Sequence, residues 1–213
     1  MAKQDNLPFA IGTTFFDGQT PDTAVAVNLE GKCYQVEDLD YSVTSGPKSA
    51  RSARLRTVMV VRNSAGIALL PKRLVKFKET AGNTYLGQVD GYCHLGYADT
   101  GIVDYAVPVD EFLPSAGAPS NDLFYVVIDG PAMVITALAN MGADVAVGDY
   151  VVHATAASSQ ATTAGRVTTH GITAANTGTV AIRETQRQIG RALSSKITTD
   201  TNTSLWVDIK RWC

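Results

Sequence analysis

Charge is scarce in this sequence. Asp, Glu, Lys and Arg make up 18% of its 213 residues, below the quarter or so of average globular domains. A disordered chain needs the opposite composition, high charge with few β-branched residues. The shortage therefore excludes disorder and fits a folded protein whose surface is partly covered by neighbours. The signs are also balanced: 18 basic against 20 acidic residues give a formal net charge of -2. No global field remains to attract nucleic acid or an anionic membrane, so neither is an expected partner.

Cysteine is nearly absent. Cys33, Cys93 and Cys213 show no CxxC or Cys/His spacing, which argues against zinc and for thiols in a reducing compartment. A Cys33–Cys93 disulfide stays open as the alternative, and Cys213 is given no role. No apolar run approaches the roughly 20 residues that cross a bilayer. The longest, Thr57–Val61 and Leu123–Ile128, are strand-sized. The opening residues Met1 to Pro8 lack the apolar core of a signal peptide, so the expectation is a soluble protein made in the cytoplasm.

Catalytic frames are missing too. There is no GxSxG elbow, P-loop, HExxH, or GxGxxG after a strand. His94, His153 and His170 are isolated and expected to be structural. Glu37-Asp38-Leu39-Asp40 lacks the glycine and distal glutamate of a calcium loop and reads as a solvated acidic turn. Asp90-Gly91 and Asp129-Gly130 read as turn dipeptides. No two acids are spaced to suggest glycoside hydrolysis. The expectation is a protein that is not an enzyme, with no catalytic residues, no cofactor and no metal.

What the sequence has is β-pattern. Short apolar pulses set in Thr, Ala and Gly fill its last third: Ala132–Leu138, Tyr150–His153, Gly165–Thr168, Gly178–Ile182, Gln188–Leu193 and Leu205–Ile209. Glycine-containing breaks separate them, the spacing of a small β-sandwich or barrel. Upstream, Ala24–Leu29, Lys32–Val36, Thr57–Arg62, Ile67–Leu70, Thr84–Val89, Tyr92–Leu95 and Ile102–Val107 continue the pattern. Arg73–Lys78 reads as a helix turn or an amphipathic edge strand. Asp122–Gly130 is the strongest strand, apolar enough for burial on both faces. Residues 155–179 are rich in threonine and read as a strand pair or an exposed hairpin. One short helix is expected, over Thr185–Ala192.

The predicted fold class is all-β, in three parts. An extended N-terminal arm covers residues 1–24, a β-rich region with loops 25–120, and a β-sandwich or barrel body 121–213, the boundary falling in the proline-rich stretch Val107–Asp122. Phe9, Phe15 and Phe16 make the arm aromatic; it packs either on its own domain or on a neighbouring subunit. The sole basic cluster, Lys48, Arg51, Arg54 and Arg56, lies in a Ser/Ala/Gly-rich segment read as a flexible loop. That loop is either solvated or in contact with an acidic partner; nucleic acid is disfavoured because no interleaved aromatic would stack a base. Phe9, Phe15, Phe16, Lys48, Arg51, Arg54 and Arg56 are the candidate partner-binding residues. Tyr85, Tyr92, Tyr97 and Tyr105 either pack across strands or line a sugar groove.

The C-terminal pattern resembles a known family. Val145-Ala146-Val147-Gly148-Asp149-Tyr150-Val151-Val152 is followed by Gly165-Arg166-Val167, then Gln188-Ile189-Gly190-Arg191-Ala192-Leu193 and a closing Leu205-Trp206-Val207-Asp208-Ile209. These residues resemble the small β-barrel or sandwich of tailed-bacteriophage capsid decoration, or cement, proteins. The resemblance covers about 80 of the 213 residues, and its motifs are short. It implies a structural virion protein on the exterior of an icosahedral capsid, assembled in the host cytoplasm. Its partner would be the major capsid protein, and self-association, trimers included, would be expected. The alternative is a head-fibre or tail-associated β-protein that binds a receptor or glycan.

Overall fold

The computed structural model describes residues 7–15, 28–43, 45–80, 83–93, 106–136, 144–153, 164–169, 188–197 and 204–210. Its named elements are all strands: β1 (Cys33–Leu39), β2 (Ala50–Asn63), β3 (Leu74–Thr80), β4 (Asn83–Tyr92), β5 (Ala106–Pro108), β6 (Leu123–Ile135), β7 (Tyr150–His153), β8 (Val167–Thr169), β9 (Gln188–Ala192) and β10 (Ser204–Ile209). They form one mixed sheet in the order β5-β3-β4-β2-β6-β10-β9-β7-β8, with β1 also paired to β2. The protein is all-β, as its pulses predict. The sheet is not closed into a barrel.

β2 and β6 form the middle of the sheet, antiparallel from Thr57↔Asp129 to Arg62↔Leu123. Their runs Val58–Val61 and Leu123–Ile128 are apolar at every position, so neither face can be left wet. Alternate residues enter different cores. Val58, Val60, Leu123, Tyr125 and Val127 join β7–β10 residues such as Val151, Ile189, Leu205 and Val207. Met59, Val61, Phe124, Val126 and Ile128 join Val75, Phe77, Val89 and Val107 of β3–β5. Each such side chain contributes roughly 1.5–3 kcal/mol when fully buried. The two strands that end the sheet order, β5 and β8, have three residues each, short edges that offer little to a stray strand.

β6 continues from β2 onto β10, where Gly130–Ile135 pairs with Ser204–Ile209. β6 thus joins strands from either side of residue 120 in one sheet. Residues 7–15 pack on the same body. Phe15 exchanges backbone hydrogen bonds with Leu123 (2.9 and 3.2 Å), and Phe9 stacks on Tyr125 with ring centroids 4.4 Å apart. Of the two readings of the arm, this part adopts the one in which it packs on its own domain. Phe16 lies outside the described residues.

Several local expectations are overturned by long-range pairing. Asp129-Gly130 is not a turn: it sits inside β6, where the register slips by one residue opposite Thr57 and Val58. This is a bulge, and Gly130 has φ 91° with no room for a Cβ beside Leu55 and Arg56. Asp90-Gly91 marks a second register slip, in β4 opposite β3. Arg73–Lys78 falls largely within β3, which is not an edge but lies between β5 and β4. Gln188–Ala192 is β9, as its apolar pulse predicts and against the short helix expected over Thr185–Ala192. Ile67–Leu70 contributes only an isolated bridge, Leu69↔Ala118. The segment read as a basic loop is a strand from Ala50 onward, held by β1 through Val36↔Arg56 and Leu39↔Ala50. Cys33 is exposed and Cys93 buried, with no disulfide between them.

Candidate functional site

The site grows from the end of β1. Asp40 accepts hydrogen bonds from the Ser42 N–H (3.0 Å) and hydroxyl (2.5 Å), a side-chain-to-backbone turn that reverses the chain after β1. The bond from the Ser42 hydroxyl, more than any other cause, holds the Asp40 carboxyl below its ordinary pKa. The turn sets Tyr41 against the body, its hydroxyl donating to the Glu37 carbonyl at 3.0 Å. Phe112 meets the Tyr41 ring edge-on at 5.4 Å. The Lys48 ammonium and the Arg56 guanidinium each stand 5.4 Å from the centre of that ring.

Between this turn and the N-terminal segment lies an open cleft of about 450 Å³, lined by Leu7, Phe9, Ile11, Tyr41, Val43 and Lys48 among others. Its lining is mostly apolar, with a cation at Lys48. Tyr125 braces the segment from below by donating to the Phe9 carbonyl at 3.0 Å, and burial pushes the Tyr125 phenol well above its ordinary pKa.

Beside the cleft is a buried charge cluster. Arg51 donates to Glu111 at 2.6 Å and Arg56 to the same oxygen at 3.2 Å. Arg56 also pairs with Asp110 at 3.6 Å, and Arg51 with Asp38 at 3.8 Å. Asp110 accepts the backbone N–H of Gly12 at 2.9 Å, which ties the N-terminal segment to the cluster. Burial raises the Asp110 carboxyl to about 6 against the opposing pull of Arg56. The Arg51 guanidinium lies between Trp206 and Phe112, 4.1 and 4.9 Å from their ring centres. The planar, weakly hydrated guanidinium suits such a buried, stacked position better than lysine would.

The sequence candidates therefore divide. Phe9 and Lys48 meet in the cleft. Arg51 and Arg56 are pulled inward, and Arg56 is fully buried. Arg54, one strand position from exposed Leu55, stays at the surface and pairs with Asp208 at 3.0 Å. Phe15 packs against the core. Sequence reasoning missed Asp38, Asp110 and Glu111 as partners of the arginines, and Tyr41 and Phe112 as the cleft's aromatic frame. A signal existed in the scarcity of charge: adjacent acids occur only at Glu37-Asp38 and Asp110-Glu111 in this chain.

Chemically, these carboxylates pair with guanidinium groups. Among the described residues, no group of three His, Cys, Asp or Glu side chains is placed to hold a metal ion. His153 is buried on β7; His94 and His170 lie outside the described residues. No described helix is long and apolar enough to cross a membrane. The fold and site define an all-β body with an apolar, cation-bearing cleft braced by a buried ion cluster. No protein-family model, curated protein or solved structure matches the chain.

Proposed function

We propose that this is a structural virion protein, a decoration protein that binds the outside of an icosahedral capsid and stabilises contacts between capsomers. The observation that carries the reading is the cleft bounded by Phe9, Tyr41 and Lys48, an apolar recess with a cation, built on a sheet whose central runs in β2 and β6 are buried on both faces. A body of this kind offers a rigid seat for a segment of the major capsid protein. Weak contacts repeated over a lattice, and reinforced by self-association of the decoration protein, retain it through avidity. The short C-terminal resemblance to cement proteins points the same way.

Co-sedimentation of the purified full-length protein with expanded, emptied shells of the encoding virus, across a salt series, tests this. The expected result is saturable binding at a fixed ratio to the major capsid protein. Absence of binding at every salt concentration rejects the decoration role and moves the weight to a head-fibre or tail-associated role in receptor or glycan binding.

A further inference from the structure

We propose that the charge cluster between β1, β2 and the Asp110–Phe112 turn encloses a structural hydration site, in which fixed water molecules bridge Asp38, Arg51, Arg56 and Glu111. The side chains form one connected chain, from Asp38 through Arg51 and Glu111 to Arg56. Not all of its links are hydrogen bonds: the Arg51–Asp38 and Arg56–Asp110 pairs, at 3.8 and 3.6 Å, are too long to be direct ones. Six buried atoms have no hydrogen-bond partner among the described residues: both Asp38 carboxylate oxygens, Arg51 Nη2, Arg56 Nε and Nη2, and Glu111 Oε2. Asp38 and Arg56 are fully buried. So many bare polar atoms would consume a large share of a domain's net stability.

The identity of the ligand follows from the inventory of these atoms. Three are donors and three are acceptors. An anion would satisfy the guanidinium donors but face the Asp38 and Glu111 carboxylates. A cation would meet the reverse difficulty. Water donates and accepts at once, and a buried water typically makes about three hydrogen bonds to otherwise unsatisfied groups. Arg62 Nη2 and Arg73 Nε, which also lack such a partner, belong to no comparable connected set among the described residues.

A high-resolution crystal structure of the full-length protein tests the site directly. The expected result is ordered water within hydrogen-bonding distance of Asp38 and at least one guanidinium in every copy. A dry cluster in which Asp38 bonds directly to arginine overturns the proposal, as does a bound ion identified by anomalous scattering. Thermal unfolding of two variants gives an independent reading. Asp38→Asn keeps a side chain able to hold a bridging water, whereas Asp38→Leu displaces it and strands Arg51. The expected drop in Tm is roughly 6–12 °C for the leucine variant, with at least half of it spared in the asparagine variant. Equal losses in the two, or a leucine variant as stable as the parent, count against the bridging water.

Discussion

The Asp110 carboxylate stands 3.6 Å from the Arg56 guanidinium, and solvent reaches neither side chain. Desolvation outweighs this attraction, so the folded protein holds the Asp110 proton up to about pH 6, against an ordinary value of 3.8. Between those values the folded state binds more protons than the unfolded chain. The stabilising contribution of the protonated group is therefore full below pH 3.8 and lost as pH rises through about 6. Each unit of difference corresponds to about 1.4 kcal/mol. Asp110→Asn should flatten this part of the stability profile, which urea denaturation at a series of pH values would show. A slope unchanged by the substitution would assign the titration to another group.

Arg56 should matter far more than Arg54, two residues away on the same strand. Arg56→Ala leaves Asp110 and Glu111 buried without their shared cation and is expected to cost roughly 3–5 kcal/mol. Arg54→Ala removes an exposed pair with Asp208 and is expected to cost under about 1 kcal/mol, less at high salt. Denaturant midpoints of both variants, at low and high salt, check the contrast.

Gly190 should tolerate no side chain. A Cβ there would come within 2.1 Å of the Asp208 carbonyl oxygen on β10, a contact with backbone that no rotamer change relieves. Gly190→Ala is expected to destabilise by at least about 1–3 kcal/mol, the usual range for overpacking. The change in Tm on substitution measures it.

The N-terminal segment should prove to be part of the fold. With Phe9 on Tyr125, Phe15 paired to Leu123 and Gly12 held by Asp110, deleting residues 2–20 should lower Tm and expose apolar surface to a dye such as ANS. Lys48→Glu separates binding from folding, because Lys48 is exposed. It should leave Tm nearly unchanged while weakening retention on capsid shells, as read by co-sedimentation.

How much the sequence revealed depended on whether a segment's state is set locally. Val58–Val61 and Leu123–Ile128 are continuously apolar, so their burial on both faces was legible. Ala50–Arg56 was not, because Ser-Ala-Arg repeats carry no strand period; that half of β2 is extended only because β1 pairs with it. Gln188–Ala192 reads both as an apolar pulse and as the end of a short helix, and β10 and β7, partners distant in sequence, make it a strand. The two Asp-Gly pairs read as turns, yet they lie at register slips inside β4 and β6, where both glycines have positive φ, 151° for Gly91 and 91° for Gly130. In the site, Phe9 and Lys48 were legible as candidates. The acids beside Arg51 and Arg56 were not, since Asp38 is 13 residues from Arg51 and Glu111 is 60.

β6 is, in effect, a party wall: each apolar residue from Leu123 to Ile128 has a neighbouring room on one side or the other. Neither room can be emptied while the other stays furnished, because opening one wets half of the wall that closes the other. Fluorescence from Trp206 and the far-ultraviolet signal of the strands should therefore report one coincident transition. The slowest backbone amides to exchange should be those of β6 and the facing half of β2. This replaces independent local failures with a single steep threshold.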